Sequence, residues 1–230
     1  MKRIAFFVEG QTEQIFINKL LIEIAVQRNI SVELKQLRSG AEISINQSIF
    51  YLEPQEPLFK ALIFDCGSDE KVKQTILDRI NGLAQKGYYE VVGLRDLRPK
   101  ELTELEKYTK EWNKKILPQY LPLPIPFRII IAVQEIEAWF LAECSHFEKI
   151  DKRLTNFVIQ NQFEFNPCLD DMRFRTNPAK DLNQIYQYSK KKKQVERTVN
   201  CLDYKRLYLE IKNKIPELDE LIQKIDNFLK

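Results

Sequence analysis

Four carboxylates, Glu9, Asp65, Asp96 and Glu135, each stand at the end of a short, largely apolar run of residues. Such runs have the length and composition of buried strands, so the four acids are expected along one edge of one sheet. Like charges gathered there repel each other unless something neutralises them. Hard divalent cations such as Mg²⁺ or Mn²⁺ take oxygen ligands and would do so. A cation held in this way activates water or steadies a departing oxygen, which points to phosphoryl chemistry. Glu9, Asp65, Asp96 and Glu135 are therefore the candidate metal ligands, and Glu9, Glu13, Asp96, Glu135 and Glu137 the candidate catalytic acids. A structural alternative stands beside this one. Strand ends collect turn-forming and helix-capping residues, and Asp65 and Glu135 would then simply cap the helices that follow them.

The remaining reactive residues narrow the choice. His146 is the only histidine and no serine lies in a G-x-S-x-G context, which weighs against a Ser-His-Asp or Cys-His site. Cys66, Cys144, Cys168 and Cys201 are scattered with no C-x-x-C pair, so neither a zinc cluster nor a disulfide framework is expected, and free thiols in a reducing compartment are. Any chemistry is left to carboxylates.

The elements that must position these acids alternate. Ile4 to Val8 reads as a strand that turns at Glu9-Gly10 into a helix with Ile15, Phe16, Leu20 and Ile24 on one face. Gly10 permits the sharp turn and Thr12 is expected to cap the helix, leaving Glu9 to point outward. A strand over 31–37 is followed by a polar stretch containing Gly40, then by a buried strand over 58–64 that stops at Asp65-Cys66-Gly67 and a helix over 71–83. Tyr88 to Leu94 is a further strand, followed by a charged helix from Leu102 to about Ile116. Four prolines make 118–126 an extended connector, and Phe127 to Val133, the most strand-like run of all, is expected centrally in the sheet. From Glu135 the pattern is helical, with Ile136, Trp139 and Phe140 as core anchors. Beyond Phe147 strand signals thin out, and Leu218, Leu221, Ile222, Ile225 and Leu229 mark an amphipathic terminal helix. These features predict an α/β domain over 1–146, its mostly parallel sheet flanked by helices, and a mainly helical region over 147–230 packed on it. Ligands of such sheets bind beyond the carboxyl ends of the strands, where the acids fall.

Composition sets the frame. With 44% hydrophobic and 30% charged residues in 230, the chain is ordinary globular material, and its net charge of +3 is too small to mark a nucleic-acid binder. Basic residues are nevertheless grouped. Lys190 to Lys193 follow Tyr186 and Tyr188 and precede Arg197, a set suited to phosphate contacts and base stacking, or equally to a solvated helix end. Arg95 and Arg98 flank Asp96 and would either hold a phosphate or pair with nearby carboxylates. There is no run of about 18 apolar residues and no signal-peptide cleavage site after Met1-Lys2-Arg3, so a soluble cytoplasmic protein with no membrane association is expected.

Four motifs carry a resemblance. Val8-Glu9-Gly10-Gln11-Thr12-Glu13 resembles the first motif of Toprim-fold proteins, shared by primases, topoisomerases and overcoming-lysogenization-defect nucleases, and puts the motif glutamate at Glu9. An uncharacterised bacterial Toprim-like family is more similar still. Its Leu-Arg-Asp-x-Asp strand end is matched by Leu94-Arg95-Asp96-Leu97-Arg98, and its Glu-x-Glu-Ala-Trp by Glu135-Ile136-Glu137-Ala138-Trp139. A later Asn-Pro-Lys-like pattern resembles Asn177-Pro178-Ala179-Lys180, extending the similarity over most of residues 1–195. One position departs from the pattern: Arg98 stands where the second aspartate belongs, a fixed cation in place of a metal ligand. Asp65 and Asp69 are the acids placed to supply the missing oxygens.

The resemblance implies a Toprim-like fold and a Mg²⁺- or Mn²⁺-dependent nuclease acting on DNA or RNA. It also implies a setting in bacterial antiviral defence beside an ABC- or SMC-type ATPase. Arg95, Arg98, Lys180, Lys190, Lys191 and Lys192 are the candidate nucleic-acid contacts. The rival is a catalytically degenerate Toprim subunit that binds an ATPase or nucleic acid without cutting, which Arg98 favours. A third possibility is another phosphoryl-transfer enzyme, weakened by the lack of a nucleotide-binding glycine loop.

Overall fold

The computed structural model describes residues 1–38, 41–50, 56–68, 70–114, 116, 118–191 and 195–230. The chain forms two compact units. The first comprises Met1–Arg95, Thr103–Ile131 and Gln223–Lys230, and the second Asp96–Leu102 and Ala132–Ile222. The helix from Glu137 falls in the second unit.

The first unit is built on a sheet of six strands, β1 (Lys2–Val8), β2 (Ile30–Arg38), β3 (Ala41–Ile49), β4 (Phe59–Asp65), β5 (Glu90–Asp96) and β6 (Phe127–Ala132), in the order β3-β2-β4-β1-β5-β6. The β2–β4, β4–β1 and β1–β5 pairings are parallel, and β2–β3 is antiparallel. The fold is the mixed α/β type expected, its sheet mostly parallel and flanked by helices. Helix α1 (Gln11–Ala25) packs on β1, β2 and β4, and α2 (Lys71–Gln85) on β1. Ile4 to Val8 are fully buried, which is why β1 reads as an unbroken apolar run.

Two expectations about the sheet are corrected. Among the described residues β6 closes one end of the strand order, outside β5, and the centre expected for it is taken by β4 and β1. The polar stretch that follows the second strand contains a further strand, β3. Its residues 42–48 are all exposed, so no burial shaped a recognisable apolar pattern. At Gly93 the close packing of β5 is visible: a Cβ there would meet Ile129 Cγ1 at 2.8 Å, Ile76 Cδ1 at 3.2 Å and Val72 Cγ1 at 3.3 Å. Helix α3 (Leu105–Lys114) completes this unit's middle segment. From it Asn113 bonds both the N–H (2.7 Å) and the carbonyl (2.9 Å) of Ile129. A buried amide, Gln14 on α1, bonds the carbonyls of Lys35 (2.8 Å) and Ile63 (3.0 Å), tying the helix to β2 and β4.

The second unit is helical: α4 (Glu137–Ala142), α5 (His146–Ile150), α6 (Asn156–Phe163), α7 (Pro178–Tyr188), α8 (Val195–Cys201), α9 (Tyr204–Leu209) and the first turns of α10 (Pro216–Phe228). Trp139 and Phe140 are buried core anchors, as their spacing predicts. Cys144 and Cys168 form a disulfide, with Cα atoms 5.4 Å apart. This corrects the expectation of four free thiols. Their separation of 24 residues hides a proximity that only the fold creates. Cys66 and Cys201 are free, and burial pushes the Cys66 thiol up to about 12. No helix among the described residues is long and apolar enough to cross a membrane.

Candidate carboxylate sites

In the first unit the acids lie where the parallel strands end. β1 and β4 run in register with Val8 opposite Asp65, and the N–H of Cys66 bonds the Val8 carbonyl at 2.9 Å, continuing the ladder one step. Glu9 is the next residue after β1 and is half-buried, whereas Asp65 is fully buried. Asp65 Oδ1 accepts the Gly67 N–H at 2.8 Å across a turn in which Gly67 takes φ 79°, a conformation glycine reaches without strain. Asp65 thus shapes its own turn. It does not cap α2, whose first residues begin after Glu70.

Glu13 has a structural task. Gly10, in extended backbone, is the N-cap of α1, and Glu13 Oε2 accepts the Gly10 N–H at 2.9 Å, reaching back three residues. The expected cap by Thr12 is therefore corrected: Thr12 lies inside the helix, and glycine with a returning glutamate does the capping. Arg95 is fully buried, its guanidinium 4.1 Å from the Trp112 ring centroid and 5.0 Å from that of Tyr108. It braces α3 through its rings, away from any surface that phosphates reach.

In the second unit two acids meet helix N-termini. Asp96 Oδ1 accepts the N–H of Ile136, the N-cap residue of α4, at 3.0 Å. Asp96 and Glu135 sit close because Leu97 and Arg98 donate their N–H groups to the carbonyls of Ala132 (2.8 Å) and Gln134 (3.0 Å). Glu135 has both oxygens engaged: Oε1 with Arg98 Nη1 at 2.6 Å, and Oε2 with the N–H of Ala179 in the first turn of α7 at 2.9 Å. The capping alternative holds in altered form, since Glu135 serves α7 and not the helix it precedes. Glu137 is buried in the first turn of α4. At the α7 terminus Asn177 is the N-cap and proline follows it; Asn177 Oδ1 accepts the Lys180 N–H at 3.1 Å. The use of this terminus by Glu135, 44 residues earlier, has no local signature in the sequence.

The basic candidates separate. Lys180, Lys190 and Lys191 are exposed, while Lys192, like Asp69 earlier, lies outside the described residues. Tyr186, considered for base stacking, is fully buried; its hydroxyl meets His146 Nε2 at 3.1 Å and Thr198 Oγ1 at 2.9 Å. Tyr188 is exposed. Sequence reasoning also missed Glu143, a buried carboxylate that accepts the Ser145 hydroxyl (2.6 Å), the Asp203 N–H (3.0 Å) and Arg206 Nη1 (3.1 Å). Burial raises its pKa in spite of these partners. Among the described residues, no group of three or more His, Cys, Asp or Glu side chains is gathered as a metal cluster.

Fold and sites together define an α/β protein with acidic residues at the carboxyl ends of its strands and a helical second unit. The chain belongs to the family described as domain of unknown function DUF4276, whose model matches residues 8–226. No curated protein and no solved structure matches it.

Proposed function

We propose that this chain is a Toprim-like protein acting on nucleic-acid phosphodiesters with a divalent cation carried by Glu9 and Asp65. The observation that carries this reading is the register of β1 and β4, which sets the two acids at the carboxyl ends of adjacent parallel strands, where sheets of this kind take their ligands. An all-oxygen donor set suits Mg²⁺ or Mn²⁺, which supplies Lewis-acid stabilisation of a phosphate when bound. Glu135 does not fit as a ligand in the arrangement observed, because Arg98 and the Ala179 N–H occupy its two oxygens. The chain's own contribution in the first unit is positional: Gly67 orients Asp65, and the Gly10–Glu13 bond sets the turn that bears Glu9. Lys180, Lys190 and Lys191 supply exposed charge for a DNA or RNA backbone. The setting in bacterial antiviral defence and the ABC- or SMC-type ATPase partner come with the Toprim resemblance.

A second reading, a degenerate subunit that binds nucleic acid or an ATPase without cutting, is favoured by one specific contact, the Arg98–Glu135 ion pair at the position where the resemblance places a second aspartate. Cleavage of DNA and RNA in Mg²⁺ or Mn²⁺ decides between the two, together with calorimetric titration of Mn²⁺ into the same variants. On the first reading wild type cuts, and Glu9→Ala or Asp65→Ala loses more than the roughly ten- to hundredfold typical of an outer-shell substitution, with Mn²⁺ affinity falling in parallel. On the second, wild type neither cuts nor binds Mn²⁺, and Arg98→Asp gains Mn²⁺ binding. Wild-type cutting indifferent to both alanines would sink the assignment of Glu9 and Asp65.

A further inference from the structure

β3 presents an edge built without the usual safeguards. Proteins protect long edge strands with lysine, proline, a bulge or an overlying element, because the unpaired N–H and C=O groups invite another strand. β3 is nine residues long and pairs with β2 without interruption from Ala41–Arg38 to Ile49–Ile30, so no bulge twists it away. Its sequence, Ala41-Glu42-Ile43-Ser44-Ile45-Asn46-Gln47-Ser48-Ile49, contains no lysine and no proline. Among the described residues it has a strand neighbour on one side only, and residues 42–48 are exposed on both faces. Ile43 and Ile45, two apart and hence on one face, are 48% and 54% exposed.

We propose that β3 pairs antiparallel with β3 of a second copy of this chain about a two-fold axis through Ile45. The strand is complementary to itself in that register. Ile45 faces its own counterpart, Ile43 faces Gln47, Ser44 faces Asn46 and Glu42 faces Ser48, so no like charges are opposed. The one ionised side chain, Glu42, is already paired with Arg79 and Lys35 of its own chain. Those partners outweigh the effect of burial and hold its carboxyl below the usual range. Association therefore strands no charge, and a partner strand bearing basic residues would find no unpaired acid to meet. The two six-stranded sheets become one continuous sheet across the axis.

Sedimentation equilibrium of the full chain tests this. Wild type is expected as a dimer, and Ile45→Lys, which puts two cations face to face at the axis, raises the dissociation constant at least about tenfold while leaving the circular dichroism unchanged. Ile43→Lys, off the axis, provides a second variant should Ile45→Lys fold poorly. Mild oxidation of Ile45→Cys captures a covalent dimer, whereas Glu42→Cys, far from its own counterpart in this register, captures none. A monomer at all concentrations, a dimer insensitive to both lysines, or cross-linking by Glu42→Cys in preference to Ile45→Cys overturns the proposal.

Discussion

Gly93 and Glu13 show how single residues set the packing of β5 and the turn after β1. At Gly93 a methyl group has Ile129, Ile76 and Val72 on three sides, the nearest at 2.8 Å, and none is the end of a long flexible chain. Gly93→Ala is expected to cost about 1 to 3 kcal/mol of stability through overpacking, read as a lower urea midpoint at unchanged slope. Glu13 is separable from chemistry by a conservative pair of variants. Glu13→Gln keeps an acceptor for the Gly10 N–H and should melt like wild type, whereas Glu13→Ala should lose about 1 kcal/mol. Loss of cutting in both, with stability kept in the first, would return Glu13 to the catalytic set.

Among elements, those with buried faces were legible and those without were not. β1, β4 and β5 are apolar runs because the sheet's interior demands it, and the acids at their ends could be placed within a residue or two from the sequence. β3 escaped because both its faces are exposed, and β6 was assigned the wrong place because strand propensity says nothing of neighbour order. What the acids bond to was hidden for a related reason: Asp96 with Ile136, Glu135 with Ala179 and Cys144 with Cys168 are long-range meetings with no local signature. The disulfide closes a loop of 24 residues holding α5 and α6. Cys144→Ser should lower the stability of the second unit by about 3 kcal/mol under non-reducing conditions and by nothing in dithiothreitol. Equal melting of variant and wild type in both media would show that the bond contributes nothing.

At the scale of the whole molecule, acidification acts through the one histidine. Burial holds His146 down at about 4 from an ordinary 6.5, so the folded chain keeps it neutral. As pH falls from 7 towards 4 the unfolded chain gains a proton that the folded chain refuses, and stability declines by up to about 3 kcal/mol across that window. Glu143, with its carboxyl raised by burial, works in the opposite sense over part of the same range, gaining its proton first in the folded state. The comparison of wild type with His146→Gln, by chemical unfolding at pH 7 and pH 4.5, isolates the first effect. The variant should show a shallower dependence, and identical slopes would exclude His146 as the source.

The chain's two tryptophans are divided between the two compact units, Trp112 in the first, against Arg95, and Trp139 in the second, with no exposure. Each unit thus carries an intrinsic fluorophore of its own. Trp112→Phe would leave emission that follows the melting of the helical unit alone, and Trp139→Phe emission that follows the sheet, so that one cuvette and two variants reveal whether the units come apart together or in turn.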